Sequence, residues 1–145
     1  MEGPITAEAL RRRAEWQATY PGASLAGEEE ADEGVGIGFD GIDPSAMVRG
    51  FFRTTEPFEA VIGWYAATLE PLGWIGRTIG ATGWWSWQRP MEPGVRFDVS
   101  DGGVYRELPG WPIPPELLGV RQFQVLFRAS SRPGVIPGES ATFHA

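Results

Sequence analysis

Cysteine, lysine and asparagine are missing from this chain, and its one histidine, His144, is the penultimate residue. Each absence removes a class of chemistry. Without Cys there is no thiolate nucleophile, and without Lys there is neither a Schiff base nor a P-loop lysine. A zinc site of Cys and His goes with them. A histidine base would need the extreme C-terminus to fold back, and termini are seldom held so firmly. Any catalysis would therefore fall to Asp, Glu, Ser, Thr, Tyr or Arg.

Other scarcities bound the setting. No apolar run approaches the roughly 18 residues of a membrane span. The opening MEGPITAEALRRRAEW has arginines with no apolar stretch behind them, unlike a secretory signal. A cytoplasmic protein without a membrane partner is expected, and the lack of Cys agrees with a reducing compartment. All twelve basic residues are Arg, and the net charge of −7 argues against a nucleic-acid partner. Missing Lys and Asn beside abundant Gly, Ala, Pro and Arg suggest a GC-rich bacterial or phage genome.

What is present suits a self-sufficient fold. A chain of 145 residues is read as one domain, residues 1–129, with a flexible C-terminal tail at 130–145. Seven Trp and eight Phe provide a large aromatic core, or a core with aromatics to spare.

Periodicity predicts the elements. Residues 6–18 read as a helix capped by Thr6, with Leu10 and Ala14 inward and Arg11 to Arg13 largely in solvent. The strongest helix spans 56–70, where Phe58, Val61, Ile62, Tyr65 and Leu69 form one apolar stripe and Trp64 lies on its flank. Thr54 or Thr55 offers its cap, and Gly73 ends the element beyond Pro71. Strands are expected at 46–54, 83–89, 95–101 and 120–129. A short one is expected at 23–27, and a glycine-weakened edge strand at 74–80. The acidic, then glycine-rich stretch 28–45 reads as a mobile loop or loosely held hairpin. Four prolines keep 107–119 out of any central strand. Together these predict an α+β fold: an antiparallel sheet of about four or five strands packed against one main helix, with a second N-terminal helix.

The segment YPGA at 20–23, followed by EPFEAVIGWYAATLEPLGW, resembles small uncharacterised α+β domains of high-GC bacteria. The matching positions are Trp64, Tyr65, Leu69, Gly73 and Trp74, an aromatic–Tyr–x3–Leu–x3–Gly–Trp motif running from helix into strand. The resemblance covers about half the chain. It implies a helix followed by antiparallel strands and carries no catalytic residue. Many such domains look like lipoproteins or fused accessory domains; this chain departs from them in having no lipid-attachment cysteine and no signal peptide.

Few motifs carry chemistry. GIGFDG at 36–41 matches a dinucleotide-loop pattern, but an acidic run precedes it and no helix signature follows, so it reads as a flexible loop. The carboxylates of 28–43, Asp40 and Asp43 among them, are the candidates for a cation. A pair of carboxylates for glycoside hydrolysis could be drawn from Asp40, Asp43, Asp98 and Asp101. Trp111, between prolines in PGWPIPP, is either displayed to a partner or tucked down as a plug over the core.

The segment TGWWSWQRP at 82–90 is the richest in aromatics. If PMEPG closes a hairpin, Trp87 faces Phe97 and Trp85 faces Val99 on the core side, while Trp84 lies opposite, beside Arg96 and Asp98. No cofactor and no catalytic residue is assigned. The expected role is a non-enzymatic accessory or interaction protein binding a protein partner or a small apolar ligand through Trp84, Trp111 and Arg96. Two other readings stand beside it: a carboxylate- or metal-dependent hydrolase using the 28–43 loop, and a structural subunit of a larger assembly such as a phage or secretion particle.

Overall fold

The apolar stripe of the second predicted helix organises the architecture. In the computed structural model, which describes residues 5–34, 45–79, 83–104, 110 and 112–131, this stretch forms the third helix, α3 (Phe58–Leu69). Phe58, Val61, Tyr65 and Leu69 are buried, and Ile62 and Trp64 pack partly against the same core. Burying each large side chain is worth about 1.5–3 kcal/mol, so the stripe alone strongly favours docking. The cap differs from expectation. Pro57 stands at the N-cap without a side-chain hydrogen bond. Thr54 Oγ1 instead accepts from Glu56 N and donates to Gly22 O. Beyond α3 a short 3-10 turn, Glu70–Leu72, ends at Gly73, whose φ of 94° is left-handed and suits glycine.

The helix packs on a sheet of six strands rather than four or five. They are β1 (Ala23–Ala31), β2 (Ala46–Thr54), β3 (Ile75–Thr78), β4 (Trp84–Gln88), β5 (Val95–Val104) and β6 (Arg121–Ala129). Their order is β1-β2-β6-β5-β4-β3, and every neighbouring pair is antiparallel. Both weak strand candidates are real, and they form the two edges.

The acidic segment lengthens the first of these edge strands. Glu28, Glu29 and Glu30 continue β1 and pair with Gly50, Arg49 and Val48 instead of forming a mobile loop. An edge strand tolerates such charges, since one side of its ladder meets solvent and a charged edge resists pairing with other chains. Arg11 meets Glu28 and Glu30, and Arg49 meets Glu29 at 3.0 Å.

Alternation divides the sheet into two faces. The inner face carries Val48, Phe52, Trp87, Phe97, Val99, Phe123, Val125 and Phe127, all buried. Tyr65 of α3 lies 5.8 Å from Phe97, and Phe97 lies 5.3 Å from Phe127. Trp87 pairs with Phe97 and Trp85 with Val99, the expected hairpin register.

The N-terminal helix is not continuous. It divides into α1 (Ala7–Arg11) and α2 (Ala14–Gln17), with Arg13 in extended backbone between them. Thr6 caps α1 as expected, its hydroxyl accepting from Ala9 N. The break turns Arg13 inward, where its guanidinium lies 5.2 Å from the centre of the Phe127 ring. At the other end, Ser130 N donates to Gly94 O and Ser131 N donates to Glu33, so the assigned tail is held at its first two residues. Residues 132–145 lie outside the described residues.

Gly76, which by sequence only weakens β3, has a positive reason to be glycine. The Trp87 indole lies directly against its Cα, in the space a Cβ would take. Gly76→Ala should therefore destabilise the fold by about 1–3 kcal/mol through overpacking. Urea unfolding of the two proteins measures this, and an unchanged midpoint would place the indole elsewhere.

Candidate functional site

The outer face of the sheet is built from the alternate residues of the same strands. Following the pairing across the sheet gives one continuous rung: Gly27, Phe51, Gln124, Ser100 and Trp84. Its two aromatic members are exposed, Phe51 to 36% and Trp84 to 40%. With strands about 4.8 Å apart, three spacings separate Phe51 on β2 from Trp84 on β4 by about 14 Å. Between them lie the Gln124 amide and the Ser100 hydroxyl, an uncharged floor able both to donate and to accept. A hollow of about 290 Å³ opens beside Phe51, lined also by Ser100, Gly102, Gln122 and Gln124. At its rim Asp101 is held by Arg121 at 2.6 Å.

The neighbouring rungs are basic. Arg53 pairs with Gln122 on one side of Phe51, and Arg49 pairs with Leu126 on the other. Arg77 pairs with Ser86, diagonal to Trp84. Arg96 and Arg128 lie on the same side of the sheet but are drawn in against Ser86 and Asp98. The described carboxylates facing them are Asp98 and, at the edge, Glu29.

Arg96 has a different position from the one expected. It is only 1% exposed. Its Nη2 donates to Ser86 Oγ at 3.1 Å, and Ser86 Oγ donates to Asp98 Oδ1 at 2.5 Å. Arg128 stands 3.6 Å from the other Asp98 oxygen. Ser86 is fully buried and Asp98 nearly so, which keeps substrate from the hydroxyl. The cluster supports the rung from the row beside it and is not displayed for contact.

A second charged cluster lies on the inner side. Glu15 is 5% exposed, yet it accepts hydrogen bonds from Trp74 Nε1 and from Arg13, both at 3.2 Å. Arg13 and Arg89 also hold Glu92, at 2.8 Å and 2.6 Å. Arg89 lies 4.9 Å from the Trp74 ring centre and donates to Leu72 O. Burial works to raise the Glu15 carboxyl, but the hydrogen bonds from Arg13, its own amide and Trp74, with the charge of Arg13, hold it below its ordinary 4.5. Glu92 is lowered in the same way against its burial, by Arg13 and Arg89.

The rest of the acidic run serves structure. Asp32 Oδ1 accepts from Ala7 N, and Glu33 accepts from Ile5 N, Ser131 N and the Ser131 hydroxyl. With Glu28, Glu29 and Glu30 paired to arginines, this part of the expected cation loop is engaged within the chain. Asp40, Asp43, GIGFDG and Trp111 lie outside the described residues.

No protein-family model, curated protein or solved structure matches the chain. Function therefore has to be read from the site itself. Of the residues singled out by sequence, Trp84 is displayed on the outer face and Arg96 is buried beneath its neighbours. Phe51 was missed as a site residue. Alternation places it on the outer face with Arg49, but only the register through β6 and β5 brings it into line with Trp84. Among the described residues no helix is long and apolar enough to cross a membrane.

The lowered carboxyls have a consequence for stability. A group whose pKa is depressed on folding stabilises the fold above its unfolded value and loses that contribution as pH falls through the folded one. The stability these two carboxyls contribute should thus be level above pH 4.5 and decline below it. Glu15→Gln should flatten that decline, as followed by thermal unfolding across acidic pH. An equally steep acid loss in the variant would remove Glu15 from this role.

Proposed function

We propose that this chain is a non-enzymatic, cytoplasmic accessory or interaction domain that binds a protein partner or a small apolar ligand. Its contact surface is the outer sheet face, with Trp84 as anchor. One observation carries the reading: an exposed Trp84 stands on the same rung as an exposed Phe51, across an uncharged floor, and a hollow opens beside Phe51. Large aromatics on an open face cost solvation unless a ligand covers them, and Trp is among the residues most often dominant in binding. Arg96 acts behind the surface, fixing Ser86 and Asp98 in the adjoining row. The support against a carboxylate enzyme is local: Glu28 to Glu33 are engaged by arginines and backbone amides.

Thermal unfolding with millimolar Ca2+, Mg2+ or Mn2+ separates this reading from a metal-dependent hydrolase. The melting temperature is expected to stay within about 1 °C of the metal-free value, because a ligand without affinity for the native state does not shift it. A rise of several degrees that disappears in Asp40→Ala would favour the hydrolase and overturn the binding-domain reading.

A further inference from the structure

We infer that the free edge of β3 takes up an extended segment of another protein as an added strand, with one bulky apolar side chain of that segment entering a hollow beside Ile75. This site is separate from the Trp84 side chain and goes beyond the outer-face reading. The ladder fixes what the edge offers. Ile79 N donates to Trp84 O at 2.9 Å, and Thr78 faces Trp85. Hydrogen-bonded pairs alternate along an antiparallel ladder. Ile75, Arg77 and Ile79 therefore bond to β4, while Gly76 and Thr78 turn their N–H and C=O groups outward. Among the described residues nothing bonds these outward groups, and β3 closes the sheet on this side. Four such groups, at residues about 6.8 Å apart, are the pattern that an extended backbone completes.

The two edges of the sheet differ in protection. β1 carries Glu28, Glu29 and Glu30, and Arg11 of α1 lies against it. Charges of this kind keep other strands away. β3 has no carboxylate, and its Gly76 has no side chain to stand over its own backbone. The space on the inner side of Gly76 is filled from the core by the Trp87 indole, which leaves the outward groups open to approach.

The hollow supplies selectivity. It measures about 260 Å³ and is lined by Ile75, Pro90 and Pro93, with Arg77, Gln88 and Arg89 closing it. Ile75 is 54% exposed. Leu72, whose carbonyl accepts from Arg89, and Met91 in the β4–β5 turn are exposed at the same end. Side chains alternate across a sheet, so a residue of the added strand opposite Ile75 projects on the side of the hollow. Main-chain bonds would then give affinity, and this pocket would select the side chain.

A second copy of the chain fits the edge less well. The antiparallel register that engages all four outward groups of both copies pairs Gly76 with Thr78 and sets the two Arg77 side chains opposite each other. Each copy also carries −7, so the molecules repel one another at long range.

A random peptide library displayed on phage and selected on the folded full chain tests this. The enriched peptides are expected to be apolar at alternate positions, and their synthetic forms to slow amide exchange at Gly76 and Thr78. Thr78→Pro removes only an outward N–H, so it should keep the urea midpoint while weakening the peptides about tenfold. Ile75→Asp should weaken them to a similar extent. The exchange measurement uses the unaltered protein and decides the matter even if the proline variant fails to fold. Peptides that leave exchange at Gly76 and Thr78 unchanged, or no enrichment at all, would overturn the added strand. If such peptides depended on Trp84, the outer-face reading would stand without it. A dimer in light scattering that Thr78→Pro returns to monomer would give the edge to a second copy and overturn the partner class.

Discussion

The buried carboxylate of Glu15 is the constraint on which the N-terminal half of the packing depends. A carboxylate at this depth is costly unless it is paired and hydrogen-bonded. Here the partners come from three separate parts of the chain. Arg13 lies beside it, Trp74 follows the main helix, and Arg89 with Glu92 belongs to the β4–β5 turn. Removing one member leaves the others charged and badly placed, so the cluster acts as a single lock. It also explains the helix break: a continuous helix over 6–18 would keep Arg13 in solvent and leave Glu15 without its nearest cation.

That lock sits on the inner face, where aromatic packing provides most of the burial. Arg13 over Phe127 and Arg89 over Trp74 join the two, because each guanidinium is at once an ion-pair partner and a lid on an aromatic ring. The acidic strand β1 uses the same economy. Its carboxylates discourage edge pairing with other chains and, with Asp32 and Glu33, clasp the first helix and the end of β6. Charge in this protein is mostly structural, on the outer face too, where Arg49 pairs with Glu29 and Arg96 and Arg128 gather about Ser86 and Asp98.

How much of this was legible in the sequence depended on distance along the chain. Alternation in 83–89 and 95–101 settled the register that buries Trp87 against Phe97 and sends Trp84 to the other side, because a short hairpin leaves few choices. The stripe of the main helix was equally plain. The fate of the acidic run was not, because Glu28 and Glu30 are matched by Arg11 across a long connection and their own composition reads as solvated loop. Arg13 misled for a similar reason: three consecutive arginines look like a solvent face until one is drawn inward by Glu15 and Glu92. Arg96 shows the limit of alternation. Its face was read correctly, but β5 is an interior strand, and Ser86, Asp98 and Arg128 close around it. Phe51 entered the candidate site only through pairing across β6 and β5, which no local pattern reports.

The two faces of the sheet are thus coupled through β4 and β5. Trp85 and Trp87 are held by core packing, Trp87 wholly buried, so the backbone between them has little freedom to move. Ser86, between the two tryptophans, is pinned on the outer side by Asp98 and Arg96. Trp84 projects from the end of this doubly fixed strand. An exposed side chain on a rigid strand loses less entropy on binding than one on a loop, because its backbone is already ordered. The burial of Trp87 and the packing of the half-buried Trp85 on one face are therefore what make the third tryptophan a good anchor on the other.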